Sequence, residues 1–419
     1  MASLHFAIGA RCPSVPQRRA SCGTRSAPGT CRSARQLQLA RTVTCSAAQA
    51  PPSSPLASVS SEEQLFAVLK GAAAAGKIPE RLLSLMEDLY HSYKSAVLGS
   101  GVEGADEAFV AKVMASVAQK SLEQVTHPYQ FQSFHQRILE PYNYYEYGQA
   151  YIRGLVDFDD SLLGHAELFQ RTQPHLNTRL LTMLCRGLVN FKDSLLGHAE
   201  LFQRIQDQLD AGENCVMLAN HQTEADPAVW ALMLEAAFPR LATDVIYVAG
   251  DRVITDALCK PFSMGRNLFC VHSKEHVIDV PERSRRKPKH MDDFPELKSE
   301  KQAMNRRTLK AMQTELKAGG KLLWIAPSGG RDRSKDPQTG EFLPDPFDPA
   351  VVELMRALIT KSPKPGHLYP LAMYSYKIMP PPASLEKTVG ERRVTNHAAV
   401  GVSVCSPLDI EAILADVPA

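Results

Sequence analysis

The chain has 419 residues, 44% hydrophobic and 22% charged, which is ordinary for a soluble globular protein of two or three domains. The apolar stretch AVWALMLEAAF has 11 residues and carries Glu235, so it is too short and too polar to span a bilayer. The formal net charge of +2 becomes about −5 once the seven arginines of the first fifty residues are set aside, leaving 40 basic against 45 acidic residues; this balance disfavours a general nucleic-acid binder.

Residues 1–50 contain no lysine, no acid before Glu62, and many Ser, Ala and Thr. That is the composition of an organelle transit peptide, since SLHFAIGA hardly supplies the apolar core of a secretory signal. Cleavage is expected near VTCSAA, residues 43–48; a disordered basic tail is the alternative. The cysteines beyond the leader, Cys185, Cys215, Cys259, Cys270 and Cys405, form no C-x-x-C pair. They are expected to be reduced core thiols rather than a zinc ribbon or a redox dithiol.

Residues 60–145 carry helical periodicity, in PERLLSLMEDLYHSYKSAVL and EAFVAKVMASVAQKSLEQV, and predict a small N-terminal helical bundle. Within it GAAAAGKI imitates a phosphate-binding loop, but Ile78 stands where Ser or Thr would hold magnesium and a helix precedes it. Gly76 is instead expected to end a helix and Pro79 to open the next. Residues 153–173 recur at 186–206 with 18 of 21 positions matching. Two copies make no solenoid, so a local duplication is the reading, and His165 and His198 gain no catalytic claim from being repeated.

Residues 146–419 predict an α/β domain, a mixed sheet flanked by helices, because strand and helix patterns alternate after the repeat. The expected strands are NCVMLA, DVIYVAG, LFCVHS, KLLWIA, HLYPLAMY and AAVGVSV; a helix starts near Pro227, a short one lies near DALCKPF, and a long one runs from Glu296 to Lys317. In NCVMLANHQTEADP a histidine leaves a strand end and an aspartate precedes a helix-opening proline. Asp226 is expected to cap that helix, and the intervening turn can bring its carboxylate to His221. A carboxylate on one ring nitrogen fixes the tautomer and leaves the other nitrogen to take a proton from an alcohol. A cap beside a surface histidine explains the same spacing. In PSGGRDR, two glycines open the backbone to an anion and Arg331 and Arg333 offer planar donor forks to a phosphate; a glycine turn with solvated arginines is the bland alternative. Base and clamp together imply a phosphorylated alcohol.

From about residue 60 to the end, the words PYNYYEYGQAYIRGLVDF, NHQTEADPA, VAGDRVITDALCKPFSMGRNL, WIAPSGGRDR and IMPPP resemble the soluble plastid glycerol-3-phosphate acyltransferases. The resemblance implies transfer of an acyl chain from acyl carrier protein, or coenzyme A, to the sn-1 hydroxyl of glycerol 3-phosphate in the chloroplast stroma. It places the H-x-x-x-x-D pair on His221 and Asp226 and the phosphate arginines on Arg331 and Arg333. It implies no cofactor, no covalent acyl-enzyme and, with no third ligand beside the pair, no metal. Where such sequences read Ser-Lys-Lys-His, this one reads HSKEHVIDVPERSRRKPKHMDDFPELK. Joining Lys274 to Lys289 restores the pattern, so the remaining phosphate residues are assigned to Lys289 and His290, with a solvated basic loop as the alternative. A lysophosphatidate acyltransferase, which usually carries membrane segments and Pro-Glu-Gly-Thr, and a non-catalytic binder of phosphate or acyl carrier protein are the competing functions.

Overall fold

The structure, a computed structural model, describes residues 55–101, 104–163, 198–272, 295–335, 340, 342–382 and 391–409. Three helices come first: α1 (Glu62–Ala74), α2 (Glu80–Leu98) and α3 (Glu107–Thr126). Each start has a local cause. The Ser61 hydroxyl accepts the Gln64 N–H, Pro79 precedes α2, and the Asp106 carboxylate accepts the Phe109 N–H at 2.7 Å. Gly76, at φ +67°, follows the end of α1 as expected, which accounts for GAAAAGKI without a phosphate. The helical stretch is shorter than its periodicity suggested. Pro128 follows α3, and the next element is the strand β1 (Phe134–His135), before α4 (Tyr144–Arg153).

The remaining elements alternate. They are β2 (Val156–Leu163), α5 (His198–Asp210), β3 (Asn214–Ala219), α6 (Asp226–Leu234), α7 (Pro239–Asp244), β4 (Ile246–Ala249), α8 (Asp251–Thr255), α9 (Lys260–Met264), β5 (Asn267–Cys270), α10 (Pro295–Ala318), β6 (Leu322–Ile325), α11 (Pro349–Thr360), β7 (Gly366–Tyr374) and β8 (Ala398–Val404). One eight-stranded sheet runs in the order β1-β5-β4-β6-β3-β7-β8-β2. The five strands from β5 to β7 are parallel, while β1 and β8 join antiparallel and β2 pairs parallel with β8. The sheet is therefore mixed, as the sequence pattern predicts.

Both faces of the central strands are buried, which is why CVMLA, residues 215–219, is an unbroken apolar run. Cys215, Met217, Leu322 and Trp324 belong to the same core as Leu69, Tyr93, Val113 and Tyr151 from the N-terminal helices. Val216, Leu218, Leu323 and Ile325 face the other way, onto Met312 and Leu316 of α10 and Met355, Leu358 and Ile359 of α11. This period-2 division is what two-sided burial requires of a strand. Behind the sheet, Gly319 ends α10 at φ +81°, where a Cβ would lie 2.4 Å from the Gly212 carbonyl oxygen; only glycine fits there. The duplicated segment is divided between two elements. The first copy supplies β2 and the second supplies the start of α5, while residues 164–197 lie outside the described residues.

Candidate active site

The carboxyl ends of β3, β4, β6 and β7 lie side by side in the sheet, the position at which open α/β sheets bind ligands. His221 follows β3 by one residue beyond Asn220 and its ring is 21% exposed. Its Nδ1 lies 2.8 Å from Oδ2 of Asp226, which is fully buried. The sequence expectation that these two meet is met. The expectation that Asp226 caps the helix is not: Asp226 is itself the first residue of α6, behind Ala225, and makes no cap bond. Its Oδ2 accepts the backbone N–H of Gln222 at 2.9 Å and of Thr223 at 3.4 Å instead. Those donors lie before the helix, so the carboxylate closes the His221 turn rather than the helix end.

Ser375, just past β7, was not legible in the sequence. Its hydroxyl donates to Oδ1 of Asp226, and its backbone N–H donates to the Gln222 side chain at 2.8 Å. Both carboxylate oxygens are thus occupied by donors, the arrangement that lets a carboxylate stay buried. Asn220 fixes the same junction by exchanging bonds with the backbone of Met373, at 2.8 Å and 2.9 Å. Trp324 on β6 meets the His221 ring edge-on, with centroids 5.6 Å apart, and forms an apolar wall beside it.

The loop after β6 carries PSGGRDR. The backbone N–H of Asp332 donates to the carbonyl of His221, and Asn220 Nδ2 lies 3.4 Å from Asp332 Oδ2. The arginine loop is thereby joined directly to the histidine turn. Asp332 is fully buried between Arg331 and Arg333 in sequence, and that burial holds its carboxyl well above the usual range. Arg331 pairs through Nη2 with Glu391, and Arg333 Nη1 donates to the Pro382 carbonyl at 2.9 Å. Burial alone would lower the Arg331 guanidinium, but Glu224 and Glu391 hold it charged. Lys289 and His290 lie outside the described residues.

Behind the histidine turn, Glu224 forms a buried ion pair with Arg393, which also reaches Asp256 at 3.3 Å. Burial would raise the Glu224 carboxyl, but Arg393 brings it down to about 2. Cys259 contacts both partners, at 3.3 Å to Glu224 and 2.9 Å to Arg393. Burial keeps its thiol well above the ordinary cysteine value, so it is a poor thiolate nucleophile. Cys215, Cys270 and Cys405 are likewise buried and unbridged, as expected of core thiols, while Cys185 lies outside the described residues.

Comparison with known proteins gives matches over most of the chain. Residues 53–129 match the family model for the glycerol-3-phosphate acyltransferase N-terminal region, and residues 201–374 match the acyltransferase model. The chain is 42% identical over 356 residues to the chloroplastic glycerol-3-phosphate acyltransferase of Arabidopsis thaliana, covering 85% of this chain and 67% of the relative. It is 41% identical over 365 residues to glycerol-3-phosphate acyltransferase ATS11, chloroplastic, of Cucurbita moschata, covering 87% and 71%. The Spinacia oleracea enzyme is 42% identical over 346 residues, covering 83% and 63%. A histidine held by a buried aspartate at a strand end, inside a sequence this similar over most of its length, identifies the chain as a member of the chloroplastic glycerol-3-phosphate acyltransferase family.

Proposed function

We propose that the chain transfers an acyl group from an acyl carrier protein thioester, or from acyl-coenzyme A, to the sn-1 hydroxyl of glycerol 3-phosphate in the chloroplast stroma, forming 1-acyl-glycerol 3-phosphate. The observation that carries this reading is the 2.8 Å contact between His221 Nδ1 and the buried Asp226 carboxylate. With Nδ1 donating to Asp226, Nε2 is the nitrogen placed to accept a proton. His221 Nε2 takes the sn-1 proton as the oxygen attacks the thioester carbonyl. A tetrahedral intermediate forms, its carbon–sulfur bond breaks, and the leaving sulfur takes the proton back from Nε2. The ring returns to its starting state and no acyl-enzyme is formed, in keeping with the poor nucleophile that burial makes of Cys259. Arg331 and Arg333 supply positive charge for the phosphate on a loop bonded to the His221 carbonyl. Lys289 and His290 complete the phosphate set in this reading, on the resemblance alone.

No described helix is long and apolar enough to cross a membrane, so both substrates are taken to meet the enzyme from the aqueous side. The test is incubation of the purified chain with labelled glycerol 3-phosphate and an acyl carrier protein thioester. Product acylated at sn-1 is expected, and His221→Ala should lower kcat by about 10²-fold or more with the fold retained. Asp226→Asn should lower both activity and stability. The amide turns a donor toward a donor in a site where the carboxylate accepts from four groups, and an unsatisfied buried group costs about 1–3 kcal/mol. Acylation of lysophosphatidate in preference to glycerol 3-phosphate, or binding without turnover, would favour the competing functions.

A further inference from the structure

Two arginines of the loop after β6 were legible as a phosphate clamp; the structure brings a third beside them. Arg252 follows β4, the neighbour of β6 in the sheet. Its Nη1 lies 2.8 Å from Oε1 of Glu391, while Arg331 pairs with the other oxygen of the same carboxylate. Glu391 is 3% exposed, so a single buried carboxylate holds together two guanidiniums from adjacent strand ends. Arg333 lies in the same field. Besides burial, the positive charges of Arg331 and Arg252 make its charged form less favourable, with Glu391 and Asp345 opposing them.

Glu224 pairs with Arg393, and Asp345 accepts the backbone N–H groups of Arg333 and Ser334 and the Ser334 hydroxyl. Arg252 and Arg331 therefore share the single carboxylate of Glu391 at the carboxyl ends of the strands, beside the loop bonded to His221. A phosphate dianion complements guanidiniums that share one carboxylate between them, and their planar forks suit its oxygens. Arg331 is 10% exposed and Arg252 31%, so the arginine of α8 presents the more open face.

We propose that Arg252 is a third arginine binding the phosphate of glycerol 3-phosphate, held beside Arg331 by Glu391. The assignment deepens the function proposed above and rests on it. In the purified full-length chain, Arg252→Ala should raise KM for glycerol 3-phosphate by about tenfold or more, the loss of a charge-assisted contact. The inhibition constant of inorganic phosphate, competing with glycerol 3-phosphate, should rise by a similar factor, while KM for the acyl donor stays within about twofold. Both phosphate constants within twofold of the unaltered enzyme would overturn the proposal and leave Arg252 as a partner of Glu391 only. If Arg252→Ala does not fold, Arg252→Lys decides by the same constants, because it keeps a cation for Glu391 and removes the planar fork. Titration calorimetry with inorganic phosphate separates the two levels of argument. An unaltered chain that binds phosphate through Arg252 but makes no acylated product refutes the proposed function and leaves the phosphate site standing.

Discussion

Ser375 shows how much of the site depends on one donor. Its hydroxyl satisfies the Asp226 oxygen that faces away from His221, and its backbone N–H engages Gln222, whose own N–H reaches the other oxygen. The serine thus fixes the carboxylate from behind, and the carboxylate fixes the imidazole. Ser375→Ala leaves one oxygen of a fully buried carboxylate without its donor, at a cost of about 1–3 kcal/mol. The expected result is a fall in kcat of about tenfold, from the small displacement of His221, with KM for glycerol 3-phosphate unchanged and a lowered Tm. Steady-state kinetics and thermal unfolding measure both; an unchanged kcat would reduce Ser375 to a packing role. Asp332 works in the opposite sense. Burial raises its carboxyl and favours the neutral form, although it stands between two arginines in sequence.

At the level of elements, the candidate site residues are carried on short loops whose ends are pinned by parallel strands. The register Leu218↔Ile325 and Leu218↔Pro370 aligns the ends of β3, β6 and β7. This alignment is what brings Asp332 to Asn220 and His221, and Ser375 to Gln222 and Asp226. The duplication does not disturb the register, since β2 comes from the first copy and α5 from the second. Joining Leu163 directly to Gly197 removes 33 residues and rebuilds one complete copy of the repeated segment. Changing the length of a connection costs only about 0.6 kcal/mol per doubling. The deletion of residues 164–196 is therefore expected to keep both kcat and Tm close to those of the full chain. Loss of soluble, active protein would show that the second copy contributes contacts of its own.

Across the whole molecule, the ion pair between Glu224 and Arg393 joins the histidine turn to the segment that leads into β8, and Asp256 ties in the connection between α8 and α9. Arg393 lowers the Glu224 carboxyl to about 2 in the folded chain, below an unfolded glutamate near ~4.3. A depressed folded pKa adds stability that is complete above the unfolded value and is lost as pH falls through the folded one. Glu224→Gln should therefore be less stable at neutral pH, by about 3 kcal/mol for a broken buried pair. The gap from the unaltered chain should narrow between about pH 4 and pH 2, as measured by urea unfolding across that range. A gap independent of pH would assign the loss to packing. Much of this architecture was legible in the sequence. Buried parallel strands must be largely apolar, so NCVMLA, KLLWIA and HLYPLAMY announced themselves, and Pro79 placed the start of α2. His221 and Asp226 were legible for the same reason: five residues around one turn can bring only a few groups together. The edge strands β1 and β2 were not, because one is two residues long and the other lies inside the repeat. The role of Asp226 as a loop clasp, the hydroxyl of Ser375, and the convergence of Arg252, Arg331 and Glu391 were decided by tertiary structure alone. Each of these is a contact between residues at least 60 apart in the chain or a choice among backbone donors, and only the register of the sheet sets which of them meet.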